Sequence, residues 1–145
     1  MTITTARTLS VLLVEDNPSD VALVRALLTQ HDAPVSLVVA QDGEEAIAAL
    51  KDAADHARAD LVLLDLNLPG KNGAEVLEEL KQHPELRRIP VIMLTDSAAQ
   101  ADVRHAYDHH ANAFLTKPVD LDQFSQAVKA LGDFWFRQVL LDTSP

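Results

Sequence analysis

Cysteine is absent from this chain of 145 residues, and so is any apolar run long enough to cross a membrane. Without thiols the chain can form no disulfide bond and no thiolate metal site, which is typical of proteins in a reducing compartment. The first residues lack the apolar centre of a signal peptide, so we expect a cytoplasmic protein. Basic residues are also few, since 12 Lys and Arg face 22 Asp and Glu for a net charge of −10. This charge repels nucleic acid and anionic membranes, and we expect neither as a partner.

Short apolar runs alternate with helical patterns along the chain. The runs, read as strands, cover residues 10–14, 35–40, 61–65, 89–95 and 113–117. Helices are predicted from Pro18 to Leu28, at 44–57, through Val76 to Leu80, at 98–109, and from Asp120 through Leu131. The alternation predicts a doubly wound parallel sheet with helices on both faces. Five strands fit the flavodoxin-like order 2-1-3-4-5 in one α/β domain.

Polar residues follow four of these strands at the point where each apolar run stops. Glu15 and Asp16 follow the first strand, Asp65 ends the third, Thr95 ends the fourth, and Lys117 ends the fifth. In the predicted order the first and third strands are neighbours, so the two acids should meet Asp65 across one crevice. Thr95 and Lys117 are expected on the far rim of that crevice.

Three carboxylates this close repel one another, and a hard divalent cation would remove the repulsion. We expect Mg²⁺, with Asp16 and Asp65 as direct ligands, Glu15 acting through water, and the backbone carbonyl of Asn67 completing the set. A cation held in this way favours phosphoryl transfer, which needs mainly positioning and charge neutralisation.

Phosphoryl transfer gives each polar residue of the crevice a separate role. Asp65 is the predicted nucleophile and would form an aspartyl phosphate. Thr95 would donate a hydrogen bond to one phosphoryl oxygen, and Lys117 would place its charge on another.

The loop after Asp65 carries Gly70 and Gly73, which are half of the four glycines of the chain. Their concentration predicts a backbone that turns sharply or lies close to another group. Asn17 and Pro18 have the form of a helix start, and Asp120 with Gln123 has the form of a capping box.

The chain resembles the receiver domain of two-component response regulators over residues 9 to about 131. The resemblance is carried, in order and spacing, by Glu15-Asp16, Asp65, Pro69-Gly70, Gly73, Thr95 and Lys117-Pro118. It implies that a histidine kinase phosphorylates Asp65 with Mg²⁺, and that the domain catalyses only its own phosphorylation and dephosphorylation.

The resemblance also implies a conformational switch, in which Thr95 moves toward the phosphoryl group and Phe114 changes rotamer with it. Two positions depart from the usual pattern. Phe114 stands where Tyr is common, and Asp96 follows Thr95 where Ala or Gly is usual. Asn67, Asp96 and Ser97 are the residues expected to set the lifetime of the phosphoryl group.

No output module accompanies the receiver-like region, so we expect its message to leave through its own surface. Residues 1–8 are expected to be frayed, and residues 132–145 to extend the last helix. This extension carries apolar residues on more than one side, Phe134, Trp135, Phe136, Val139 and Leu140. We interpret them as a dimer or partner interface, the alternative being a longer helix packed on its own sheet. The extension and the segment 14–20 resemble single-domain receivers of bacterial phytochromes, which implies a phytochrome kinase and a homodimer.

Other protein classes can use the same residues. A phosphatase of the haloacid-dehalogenase type also combines Asp, Thr and Lys with Mg²⁺, but it needs a second Asp where this chain has Asn67. A flavodoxin-like carrier would need a phosphate-binding first loop, and here Glu15, Asp16 and Asp20 would repel phosphate. No Gly-x-x-x-x-Gly-Lys loop is present to bind ATP. A scaffold that is never phosphorylated remains an alternative.

Overall fold

A computed structural model of the chain describes residues 8–30, 34–52, 59–70, 72–95, 113–117, 120, 122–127 and 129. Its strands and helices follow the chain in the order β1 (Leu9–Val14), α1 (Pro18–Thr29), β2 (Val35–Ala40), α2 (Gly43–Asp52), β3 (Leu61–Asp65), α3 (Gly73–Gln82), β4 (Val91–Thr95) and β5 (Ala113–Thr116). Residues 122–127 are also helical and lie where the last helix was predicted.

The five strands form one parallel sheet in the order β2-β1-β3-β4-β5, which confirms the predicted topology. Because all five strands run in the same direction, their carboxyl ends lie along one side of the sheet. We call this line of strand ends the carboxyl edge. Strands β3 and β4 are buried along their whole length, as their unbroken apolar runs predict.

The fourth strand starts later than its apolar run indicates. The predicted start at Ile89 is wrong by two residues, since β4 begins at Val91. The N–H of Ile89 donates to Leu86 in a turn at 3.1 Å, and Pro90 has no N–H to donate. Neither residue therefore donates a backbone hydrogen bond to the sheet, although the carbonyl oxygen of Pro90 accepts one from the N–H of Val62 at 3.0 Å.

Two apolar layers cover the sheet, one on each face. On one face α2 and α3 pack through Ala46, Ile47, Leu50, Val76, Leu77 and Leu80. On the other face α1 and the last helical segment pack through Val21, Val24, Leu27, Leu28 and Phe124. Because helices cover both faces of the sheet, polar side chains can gather only where the strands begin and where they end.

Local capping starts the helices where the sequence predicts them. The side chain of Asn17 accepts hydrogen bonds from the N–H groups of Ser19 and Asp20, with Pro18 at the first helical position. Asp120 accepts from the N–H of Gln123 at 2.7 Å, which confirms the cap predicted there.

The two loop glycines serve the two purposes that the sequence left open. Gly70 turns the chain with a φ of 69°, a conformation that other residues rarely adopt. Gly73 allows close approach, because a Cβ atom on it would lie 2.3 Å from the carbonyl oxygen of Asp65.

Several expectations fall outside the described residues. They are the frayed start, the end of the second helix beyond Asp52, the helix at 98–109, and the C-terminal extension. Within the described part of the chain, no helix is both long enough and apolar enough to span a membrane.

Candidate functional site

Three carboxylates converge at the carboxyl edge between β1 and β3. Glu15 and Asp16 follow β1, Asp65 ends β3, and ligand oxygens from all three lie within 4.8 Å of one another. Glu15 and Asp65 are buried, whereas Asp16 is exposed. The convergence follows from the pairing of β1 with β3, as expected from the strand order.

Asp65 is fixed by the backbone that follows it. The N–H of Asn67 donates to Asp65 Oδ1 at 3.0 Å, and the N–H of Gly73 donates to Leu66 at 3.0 Å. These bonds close the loop over the strand end while α3 begins directly beside it. The other carboxylate oxygen, Oδ2, faces Lys117.

Lys117 brings the opposite charge into this cluster. Its Nζ atom donates to Glu15, to Asp20 at 2.9 Å and to Asp65 at 3.2 Å. The backbone N–H of Lys117 donates to the carbonyl oxygen of Thr95 at 2.7 Å, which ties the end of β5 to the end of β4. The expectation of a far-rim lysine is therefore incomplete, because the side chain reaches across the edge to residues of β1 and β3.

Burial and charge shift the pKa values of two of these groups. Burial raises the pKa of Glu15 to about 8, and its hydrogen bond with Asp65 adds to the rise, while Lys117 acts against it. Burial alone would lower the pKa of Lys117, but hydrogen bonds to Glu15 and Asp20, together with the negative charges of Asp65 and Glu15, raise that pKa. The site therefore keeps a permanent cation, and Glu15 holds a proton more strongly than an ordinary glutamate.

Asp20 belongs to this site, although no role for it was predicted from the sequence. It lies in the first turn of α1, and its carboxylate reaches Lys117 with about a quarter of the side chain exposed, 26%. One signal could have found it. Asp20 is the third residue after the predicted cap Asn17, so it falls in the first turn of a helix that begins directly after the acidic pair.

The donor set fits a hard divalent cation. Three carboxylates supply only oxygen ligands, and the exposed Asp16 leaves room for water, as Mg²⁺ and similar ions require. Glu15, Asp16 and Asp65 are the residues that would hold the ion. The roles predicted for the Asn67 carbonyl and for water beside Glu15 stay predictions.

The two predicted switch residues lie on the neighbouring strands. Thr95 is buried at the end of β4, and Phe114 in β5 is half-buried beside Met93. Phe114 packs against the core layer that α2 and α3 form. A movement of either residue stays a prediction. Asp96, Ser97 and the five apolar residues predicted at the interface lie outside the described part of the chain.

Residues 11–129 match the family model described as the response regulator receiver domain. The match covers most of the chain. The chain belongs to the response regulator receiver family. An acidic pair, a buried Asp and a Lys at the carboxyl edge of a 2-1-3-4-5 sheet therefore form its candidate site.

Response regulators of similar length are among the similar proteins. The response regulator Rcp1 of Synechocystis sp. is 41% identical over 134 residues, which is 90% of this chain and 91% of that protein. The phosphorylated cyanobacterial phytochrome response regulator RcpA is 43% identical, with a TM-score of 0.73 over 90% of this chain and 95% of its own. The Mn²⁺-bound form of Rcp1 is 42% identical, with a TM-score of 0.70 over 87% and 93%. A metal and a phosphoryl group are thus known for these similar proteins.

Proposed function

We propose that this protein is a response regulator that accepts a phosphoryl group on Asp65 from a histidine kinase. The observation that carries the proposal is the position of Asp65, which is buried at the end of β3 beside two further carboxylates and 3.2 Å from Lys117 Nζ. Such a carboxylate is fixed in place and faces a cation, as a nucleophile for phosphoryl transfer requires.

The reaction exchanges one bond to phosphorus for another. A carboxylate oxygen of Asp65 attacks the phosphorus of a phosphohistidine, and an acyl phosphate forms. The P–N bond breaks, and the imidazole nitrogen leaves with the electron pair and takes up a proton. Lys117 offsets the negative charge at the phosphoryl oxygens, and the hydroxyl of Thr95 donates a hydrogen bond to one of them.

A divalent cation, for which we propose Mg²⁺, would neutralise charge on the incoming group when bound. Glu15, Asp16 and Asp65 would hold it, because among the described residues their carboxylate oxygens lie close enough together, within 4.8 Å, to bind one ion. Similarity to the Mn²⁺-bound form of Rcp1 supports a metal at this edge.

Phosphorylation would act on packing beyond the site. The backbone bond from Lys117 to Thr95 links the charge of the site to the end of β4. We propose that Thr95 and Phe114 shift together once Asp65 carries a phosphoryl group, and that the shift changes dimer or partner binding. Similarity to the phytochrome response regulator RcpA supports a phytochrome kinase as the partner.

The haloacid-dehalogenase alternative requires an acid at position 67, and this chain has Asn67 there. Membership of the receiver family also favours a phosphoacceptor over a phosphatase. The scaffold that is never phosphorylated becomes an outcome of the test below.

The test is intact mass spectrometry after incubation with Mg²⁺ and acetyl phosphate. We expect one added phosphoryl group on the wild type and none on the Asp65→Asn variant or with a chelator present. Asp60→Asn is the matched control, because Asp60 lies at the other end of β3 and accepts from Ser10 N–H at 2.9 Å. An unmodified wild-type protein would support the scaffold instead.

A further inference from the structure

Lys117 is shared among three carboxylates that differ in what else they can bind. Glu15 and Asp65 belong to the acidic group that fits a cation, and Asp20 does not. A cation at that group would therefore draw on the same two carboxylates as the ammonium of Lys117. Asp20 is the one partner, among those found for Lys117 in the described chain, that a cation leaves available.

Asp20 is well placed to keep this contact. Its backbone N–H donates to the capping side chain of Asn17 at 3.3 Å, which fixes the residue in the first turn of α1. The positive end of a helix favours a carboxylate at this position. Its distance to Lys117 Nζ, 2.9 Å, is that of a charge-assisted hydrogen bond.

We propose that Asp20 is a positioning residue that retains the Lys117 ammonium at the site when a cation occupies Glu15 and Asp65. This inference rests on the proposed role of Asp65 as the phosphoacceptor. Without Asp20, Lys117 has two poor choices once the cation binds. Its ammonium either competes with the cation or moves toward solvent, away from the phosphoryl group.

A simpler role for Asp20 would be helix stabilisation alone. Glu45 provides the matched control, because it lies three residues after the capping Asp42 and its N–H donates to that side chain at 2.8 Å. Asp20 bears the same relation to Asn17. If first-turn charge were the whole role, Asp20→Asn and Glu45→Gln would behave alike.

Nuclear magnetic resonance of the lysine ammonium groups tests the contact directly. The chain has five lysines, so assignment through a Lys117→Met variant is practical. Hydrogen-bonded ammonium protons exchange slowly with water. We expect the Lys117 signal to persist in the wild type with and without Mg²⁺. In Asp20→Asn it should persist without Mg²⁺ and vanish when Mg²⁺ is added.

Phosphorylation by acetyl phosphate gives the second readout. Loss of one partly exposed charge-assisted hydrogen bond should slow Asp20→Asn roughly three- to tenfold. Asp20→Glu should recover most of the rate, and Glu45→Gln should match the wild type. In a Lys117→Met background, Asp20→Asn should have no further effect, because the two residues act as a unit.

Two results would overturn the inference. One is a Lys117 signal that survives Mg²⁺ in Asp20→Asn, and the other is an equal effect of Asp20→Asn with and without Lys117. Failure of the proposed function looks different. A wild type that accepts no phosphoryl group would contradict the role of Asp65, while the magnetic resonance comparison would still decide whether Asp20 holds Lys117.

Discussion

Two half-buried lysines of this protein lie in contrasting surroundings. Lys81, at the end of α3, donates to the backbone carbonyls of Arg87 and Ile89 at 3.1 and 3.0 Å. Those carbonyls belong to the connection that leads into β4, so the lysine fastens a helix to a loop. Burial lowers the pKa of Lys81, because carbonyl dipoles replace only part of the solvation by water.

Lys117, at the carboxyl edge, is surrounded by charge instead. Its side chain is only 10% exposed, yet hydrogen bonds to Glu15 and Asp20, together with the negative charges of Asp65 and Glu15, raise its pKa. The partners of Lys81 are neutral backbone carbonyls. The partners of Lys117 are carboxylates, which can bind a metal ion in place of an ammonium group. The comparison teaches that Lys81 maintains the fold and that Lys117 belongs to a set of charges that can be rearranged.

Replacing each lysine by Met should separate the two roles most strongly. We expect Lys117→Met to slow phosphorylation by acetyl phosphate roughly a hundredfold, because the phosphoryl oxygens lose their cation. Lys81→Met should phosphorylate at close to the wild-type rate. Intact mass against time measures both. Equal slowing of the two variants would show that the loss comes from folding and would remove the distinction.

The backbone beside Asp65 offers a test that touches neither lysine. Gly73→Ala would place a Cβ atom 2.3 Å from the carbonyl oxygen of Asp65, so the strand end must shift. We expect a loss of about 1–3 kcal/mol in the free energy of unfolding, together with slower phosphorylation.

Gly70→Ala is the matched control. A Cβ atom there meets nothing within 4 Å, and only the φ of +69° opposes it. That strain costs about 1 kcal/mol and should leave the phosphorylation rate unchanged. Urea unfolding and phosphorylation rates are the measurements. A Gly73→Ala variant with wild-type phosphorylation would show that the position of Asp65 does not depend on this close approach.

Because Lys81 joins α3 to the loop before β4, its loss should lower the free energy of unfolding. Lys81→Met removes two hydrogen bonds to loop carbonyls and should lower the free energy of unfolding by about 1–2 kcal/mol. Lys51→Met, at an exposed position of α2, is the control and should change little. Urea unfolding at neutral pH measures both. A stable Lys81→Met protein would mean that the loop is held by its own turns.

The smallest expected effect is a pH dependence at alkaline pH. The pKa of Lys81 lies below the ordinary lysine value of 10.5 in the folded protein, because burial disfavours the charge, so the folded state loses the proton first. Below the folded pKa, protonated Lys81 therefore stabilises the fold less than the neutral amine would, and this difference disappears as the pH rises toward 10.5.

Urea midpoints between about pH 8 and 11 would detect this effect. The wild type should gain stability relative to Lys81→Met as the pH rises, since the other titrating groups cancel in the difference. A constant difference across this range would contradict the lowered pKa.

The strand ends could be predicted from the sequence because each apolar run stops at a polar residue. That rule placed Glu15 and Asp65 at one edge once the strand order was inferred, and the structure has them there. It misplaced the start of β4, because Ile89 and Pro90 are as apolar as a strand, but the N–H of Ile89 donates within a turn and Pro90 has no N–H to donate.

Side-chain reach could not be predicted in the same way. Lys117 follows β5 and reaches Glu15 across the ends of β4 and β3, and Asp20 joins them from a helix. An acid in a first turn is ordinarily a capping charge, so its sequence position alone gave Asp20 no role in the site. The predicted roles of Thr95 and Phe114 concern a second state of the protein and remain predictions.

The most direct measurement is to locate the phosphoryl group after reaction with acetyl phosphate and Mg²⁺. Borohydride reduces an acyl phosphate to an alcohol, so a phosphorylated aspartate becomes homoserine, which peptide mass spectrometry can place. We predict homoserine at Asp65 alone. Homoserine at Asp16 or Asp20, or none in a protein that has gained a phosphoryl group, would contradict the role of Asp65 as the acceptor.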